Sequence, residues 1–237
     1  VAPVVVQSKF ITGTGAATLA GAFTTATTAG NCVVVALGAF SASAATVSVS
    51  AMTLGGAAGN FASLIAAQSA AATADVLYAA IWADPSCAGG QTAISATVAG
   101  GSAEFSTAGG YAIYEISGLA ATIAALPGVS SAGDAITGTA VSSGTTATTA
   151  SPGSLILGSL AVYGGMSAAG TGYTNLAGTG GSAGYLIPGV TGTYSYTCTA
   201  SSNPWASVIA ELKPPATAAI TAYLGKRQQA IVTAATR

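Results

Sequence analysis

Short apolar or alternating runs recur along the chain with turn residues between them, at intervals too close for long helices. They predict strands over residues 4–11, 32–40, 46–52, 61–67, 76–83, 92–98, 111–117, 135–141, 154–163, 184–187, 194–199 and 207–212. About a dozen strands broken by Gly, Ser and Thr is the pattern of an all-β protein, here a jelly-roll-like two-sheet β-sandwich.

The runs differ in their expected cover. Cys32-Val33-Val34-Val35-Ala36-Leu37 is apolar without interruption and should be buried on both faces. Thr92-Ala93-Ile94-Ser95-Ala96-Thr97-Val98 mixes in small polar residues and reads as half exposed, nearer a sheet edge. In 111–117, period two puts Tyr111, Ile113 and Glu115 on one face, so Glu115 shares bulky apolar company and needs a hydrogen-bond partner. Loops are marked at 27–31, 54–60 and 164–170. Residues 142–153, almost all Ser, Thr, Gly and Ala, read as a long surface excursion or an edge strand. No fixed period repeats along the chain, which argues against propellers and solenoids.

The character changes after Leu212-Lys213-Pro214-Pro215, where the diproline stops strand and helix alike. The sandwich is therefore expected over 1–213 and a C-terminal arm over 214–237. The arm carries Ile220, Tyr223, Leu224, Lys226, Arg227 and Ile231, which would need cover from a partner or from the arm's own sandwich.

Charge narrows the function classes. Only 5% of the 237 residues are charged, five Lys or Arg against six Asp or Glu, with no His. A typical globular chain is roughly a quarter charged, so Ser, Thr, Asn, Gln and the backbone must meet water here. Weak self-repulsion suits a chain that lives in an assembly, and predicts self-association. Five scattered cations make a poor phosphate-binding patch, so no nucleic-acid partner is expected. No apolar run approaches the roughly 18–20 residues of a membrane-spanning helix, and no basic stretch opens a secretory leader.

Candidate chemistry is sparse. Without His, a Ser-His-Asp or Cys-His nucleophile and a His-completed metal site are excluded. Glycoside hydrolysis would draw on Asp75, Asp84, Glu104, Glu115, Asp134 and Glu211, with Glu104 and Glu115 able to approach through a hairpin; solvated or singly bonded carboxylates are the favoured reading, and no enzyme, cofactor or metal is expected. Cys32 and Cys198 read as small apolar strand residues, Cys87 as the thiol most open to exposure or pairing. Among aromatics suited to stacking a sugar ring, Trp82 and Trp205 read as core and Tyr173, flanked by glycine-rich loop, as the candidate glycan contact. The runs 24–28 and 145–149 are Thr-rich without the regular spacing of an ice-binding face.

The order of features resembles a diffuse group of phage and bacterial extracellular β-sandwich proteins. Its pattern is "AGN" before a valine-rich strand, an alternating strand with an aromatic, "Y-x-I-x-E-x-S-G", "G-S-L-I-L-G" and a closing "W-A-x-x-x-A-E-L-K-P". Here these are Ala29 to Val35, Val76 to Trp82, Tyr111 to Gly118, Gly153 to Gly158 and Trp205 to Pro214. Where the group carries a "D-S-x-G-N" turn, this chain has Ser50-Ala51-Met52-Thr53-Leu54-Gly55-Gly56, without the Asp that calcium would use. The resemblance implies a structural protein of a bacteriophage virion, in the capsid, as a decoration or minor capsid protein, or tail-associated, with other virion proteins as partners. The alternative it implies is a secreted or tail-borne carbohydrate-binding module with a surface glycan as ligand.

Overall fold

The computed structural model describes residues 2–43, 46–69, 75–105, 109–135, 138–149, 152–162, 166, 170–177, 181–200 and 204–216. The first half of the chain supplies β1 (Val4–Thr12), β2 (Thr18–Ala22), β3 (Cys32–Ser41), β4 (Ser48–Leu54), β5 (Ala57–Ala58), β6 (Ala62–Gln68), β7 (Val76–Asp84), β8 (Ala93–Ala99), β9 (Ala103–Glu104) and β10 (Gly110–Ser117). The second supplies β11 (Pro127–Ala135), β12 (Ala140–Ser142), β13 (Leu155–Val162), β14 (Thr174–Ala177), β15 (Gly181–Leu186), β16 (Thr197–Thr199) and β17 (Trp205–Leu212). Among the described residues there is no helix.

The strands form four antiparallel sheets, where the sequence pattern predicted two. An inner sheet ordered β1-β10-β3-β7-β6 lies beneath an outer sheet ordered β2-β8-β4-β5; a second inner sheet, β11-β17-β13-β15-β14, lies above the pair β12-β16. Three apolar layers fill the gaps. Val33, Val35, Leu37, Tyr111 and Ile113 meet Leu19, Met52, Ile94 and Phe105 of the first half. Cys32, Val34, Ala36, Ile81 and Tyr114 meet Leu155, Leu157, Val208 and Leu212 between the two inner sheets. Ile156, Leu160, Trp205 and Ile209 meet Val141 and Tyr196 on the far side.

This stacking explains the uninterrupted apolar runs. Every residue of β13 and β17 is buried, as are all of β3 and β7 but one each, because the inner sheets are covered on both faces. The expectation for 32–37 therefore holds. The inner sheets approach closely through small residues: a Cβ on Gly38 would lie 3.0 Å from the Cβ of Ala161, and Ser159 Oγ donates to Leu37 O across the gap at 3.2 Å. By contrast β8 alternates buried and open positions as predicted, but it sits between β2 and β4 in mid-sheet, not at an edge.

The two halves follow one strand order. In each, the first strand pairs with the last (β1 with β10, β11 with β17), the last with the third (β3, β13), the third with β7 or β15, and that strand with β6 or β14. In each, the second strand pairs in the outer layer (β2 with β8, β12 with β16), and the bridge Met166↔Ala200 stands where β4 pairs with β8. The repeat is one of topology, so a search for a sequence period passes over it. It leaves one trace in the sequence: Thr-Thr-Ala-Thr-Thr-Ala occurs at 24–29 and again at 145–150, ahead of β3 and β13. In each copy one threonine, the fourth residue in the first and the fifth in the second, makes the same pair of hydrogen bonds. Thr27 N donates to Gln91 O (2.8 Å) while Gln91 N donates to Thr27 Oγ1 (3.2 Å), and Thr149 N donates to Gly192 O (2.9 Å) while Gly192 N donates to Thr149 Oγ1 (3.2 Å).

Differences from the predicted strands are local. The strand predicted at 135–141 overlaps β12 from Ala140 and touches β11 at Ala135 alone, so the pattern misses nearly all of β11, whose Pro, Gly, Ser and Ala residues carry little apolar alternation. The short strand β5 lies in the predicted loop 54–60, and β2, β9 and β14 lie where no strand is predicted, because two to five residues carry too little periodicity.

Candidate functional site

A recess in the first half opens between its two sheets. It has a volume of about 330 Å3 and is lined by Val49 to Thr53 of β4, Ala58, Gly59, Phe61 and Trp82. Local geometry explains the opening. The two-residue turn Gly55-Gly56 (φ +63° and +80°) folds β5 back on β4, but β5 pairs only with Thr53 and Leu54. Among the described residues, 48–52 of β4 thus have no strand partner on that side. A register shift between Val49 and Ala51 bends this segment, and Ser50 Oγ donates to Thr97 O at 3.2 Å. Gly59 keeps the floor clear, since a Cβ there would meet the Phe61 ring at 2.9 Å.

Trp82 forms the inner wall. The sequence reading placed it in the core; it packs against the core but is the one residue of β7 that is not fully buried. Trp205 does match its core reading, at 7% exposed.

Tyr173, read as the exposed aromatic, is half buried. Its ring meets that of Tyr196 edge to face, centroids 5.1 Å apart, and burial pushes its pKa up to about 12, with Tyr194 adding to the rise. Neighbouring groups form a closed polar set: Tyr196 OH donates to Asn175 Oδ1 at 2.8 Å and shares a 2.9 Å hydrogen bond with Ser182 Oγ. Tyr196 itself is fully buried. The arm contacts Ile220, Tyr223, Leu224, Lys226, Arg227 and Ile231 lie outside the described residues, as does Tyr163.

The carboxylates separate along the fold. Glu104 pairs with Phe40 and Glu115 with Val33, seven residues apart on β3, or about 23 Å at the strand rise of roughly 3.3 Å. The two carboxyls of a glycosidase stand about 5–9.5 Å apart, so this pair cannot flank one bond. The hairpin approach fails because β9 and β10 run in line beside β3 and do not fold onto each other.

Glu115 has the hydrogen-bond partners the sequence demanded. Thr28 N (2.7 Å) and Asn31 Nδ2 (2.6 Å) donate to Oε1, and Gln7 Nε2 (2.7 Å) donates to Oε2. Its side chain is 1% exposed, roofed by the loop before β3. Burial raises its pKa, but the donors from Thr28, Gln7 and Asn31 together outweigh it and hold the carboxyl below its ordinary value. Glu211 occupies the same place in the second half: it faces Ile156 as Glu115 faces Val33, and Val129 N of β11 donates to it at 3.1 Å.

The thiols are free. Cys87, expected to be the accessible one, is 2% exposed and donates to Thr28 O at 3.3 Å, because its loop folds back on the turn before β3. Cys32 is buried in the strand, and burial, with Asp84 and Cys87 nearby, pushes its thiol well up. Cys198, half buried in β16, is pushed up to about 11 by burial. Among the described residues no three of His, Cys, Asp and Glu come together as metal ligands, and no helix is long and apolar enough to cross a membrane.

No family model, curated protein or solved structure matches the chain.

Proposed function

We propose that this chain is a non-enzymatic structural protein of a bacteriophage virion, a decoration or minor capsid component, built from two jelly-roll units in tandem. The observation that carries the reading is the strand order. Counting β5 and β6 as one line of chain and β9 and β10 as another, the first half orders its strands first-eighth-third-sixth-fifth in the inner sheet and second-seventh-fourth-fifth in the outer one, the fifth line reaching both sheets. This order supports reading each half as a jelly-roll wrapping, an architecture widely used in viral capsids. The second half repeats the inner-sheet order.

Surface chemistry supports the same reading. A chain with 5% charged residues and a net charge of −1 packs against neighbours without desolvating many charges. The exposed apolar side chains Val4 and Val6 lie on β1, an edge strand, where a neighbouring chain would cover them. The arm 214–237 serves in this proposal as an attachment to other virion proteins.

Sedimentation of the pure chain over micromolar concentrations tests self-association, and mass spectrometry of purified native particles tests virion membership. A defined oligomer and the presence of the chain in particles at fixed copy number are expected. Absence from washed particles would overturn the proposal.

A further inference from the structure

We propose that the recess between β4, β5 and β7 is a binding site for an uncharged, hydroxylated ring, a pyranose of a surface glycan, which stacks on Trp82. The proposal does not depend on the virion assignment, since a sugar site serves a free or an assembled chain equally.

Four observations select this ligand class. The volume, about 330 Å3, lies at the lower end of small-molecule sites and suits one or two sugar rings. Two aromatic side chains, Trp82 and Phe61, line it from different elements, and Trp82 alone in β7 is left partly open, at the recess. A sugar's C–H face packs on such a ring, whereas its hydroxyls require donors and acceptors around the edge. Those are supplied by the hydroxyl of Thr53 and by the backbone of β4, whose residues 48–52 make no strand pairing on the recess side among the described residues. An acyl chain would leave these backbone groups dry and unpaired, at a cost in binding. No charged side chain lines the recess, so neither a phosphate nor a carboxylate ligand finds a counter-charge.

The register shift at Ser50 fits the same function. Five consecutive residues of β4 contribute to the lining, whereas a regular strand would present every second one.

The chain has two tryptophans, so Trp205→Phe leaves Trp82 as the sole indole reporter. This variant is titrated with the methyl glycosides of glucose, galactose, mannose and N-acetylglucosamine, with n-hexanol as an apolar probe. At least one glycoside should give a saturable change in emission, with half-saturation on the order of 1 mM or below. In the same background Ala58→Phe, at an exposed lining position, should fill the recess, abolish that response and leave the melting temperature unchanged. A saturable response to hexanol with none to the glycosides, or no response at ten times that concentration, overturns the proposal. So does glycoside binding that survives Ala58→Phe.

Discussion

Thr146 and Tyr194 exchange two hydrogen bonds, one of them made by a side chain in place of the backbone. Thr146 N donates to Tyr194 O at 2.9 Å, and Tyr194 N donates to Thr146 Oγ1 at 3.0 Å. Ser143 does the same with Tyr196 (3.0 and 2.9 Å), and Thr149 with Gly192. Partners thus advance by three residues on one chain and by two on the other. A regular ladder cannot form at that mismatch, so a hydroxyl supplies the acceptor that a carbonyl would otherwise provide. Thr146→Val keeps the shape at a position that is 3% exposed and leaves the partly buried Tyr194 N–H without its acceptor. A loss of about 1–3 kcal/mol in urea unfolding is expected, with Thr146→Ser close to wild type.

Glu115 makes stability depend on acid in a defined direction. Its folded pKa lies below the ordinary 4.5, so its contribution is present above that value and is lost as pH falls through the folded one. Glu115→Gln presents an amide N–H to a site built from donors, Thr28 N, Asn31 Nδ2 and Gln7 Nε2. The variant should be less stable at pH 7 by about 1–3 kcal/mol, and the difference from wild type should shrink below the ordinary carboxylate range. Melting temperatures recorded from pH 7 to pH 3 check it; a constant difference across that range would show that ionisation is not involved.

These two sites mark what was legible beforehand. Glu115 could be read because an acid at period two beside Tyr111 and Ile113 must lie on an apolar face. Its partners could not be read, since Gln7 and Thr28 are joined to it only by the pairing of β1, β10 and β3. The stretch 142–153 showed its polar composition but not its ladder, because a spacing of three matches neither a strand nor a helix. The four-sheet stack was half visible: the valine run of β3 announced cover on both faces, yet nothing in it says that the second cover is another half of the same chain. Trp82 misled for the same reason, since its alternating strand is core at every residue but that one.

Tyr196 depends on glycines from three other segments. A Cβ on Gly158 or on Gly170 would fall within its ring, and one on Gly184 would crowd its hydroxyl. Gly158 lies in the buried strand β13, so neither the ring nor the backbone has free space to move into. Gly158→Ala should therefore cost about 1–3 kcal/mol or more, measured by chemical unfolding. Adding Tyr196→Leu should recover part of that loss, giving a non-additive double-mutant cycle. Strictly additive costs would mean that the clash is relieved elsewhere.

Just past β17, the backbone of Lys213 is held at both of its polar groups. Its N–H donates to Leu126 O at 2.7 Å and its carbonyl accepts from Ala120 N at 2.9 Å, tying the chain to the segment that links the two halves. Beyond it Pro215 and Ala216 are exposed, and Pro214 and Pro215 offer no backbone donor with which to continue pairing. A chain ended after Lys213 keeps every contact of β17, all eight residues of which are buried. It is expected to fold with an unchanged melting temperature and to lose self-association, because the apolar arm residues Ile220, Tyr223, Leu224 and Ile231 leave with the truncated segment. Thermal unfolding and sedimentation of the two chains side by side provide the check. A lowered melting temperature at unchanged association would assign the arm to its own sandwich, and the attachment role would then fall.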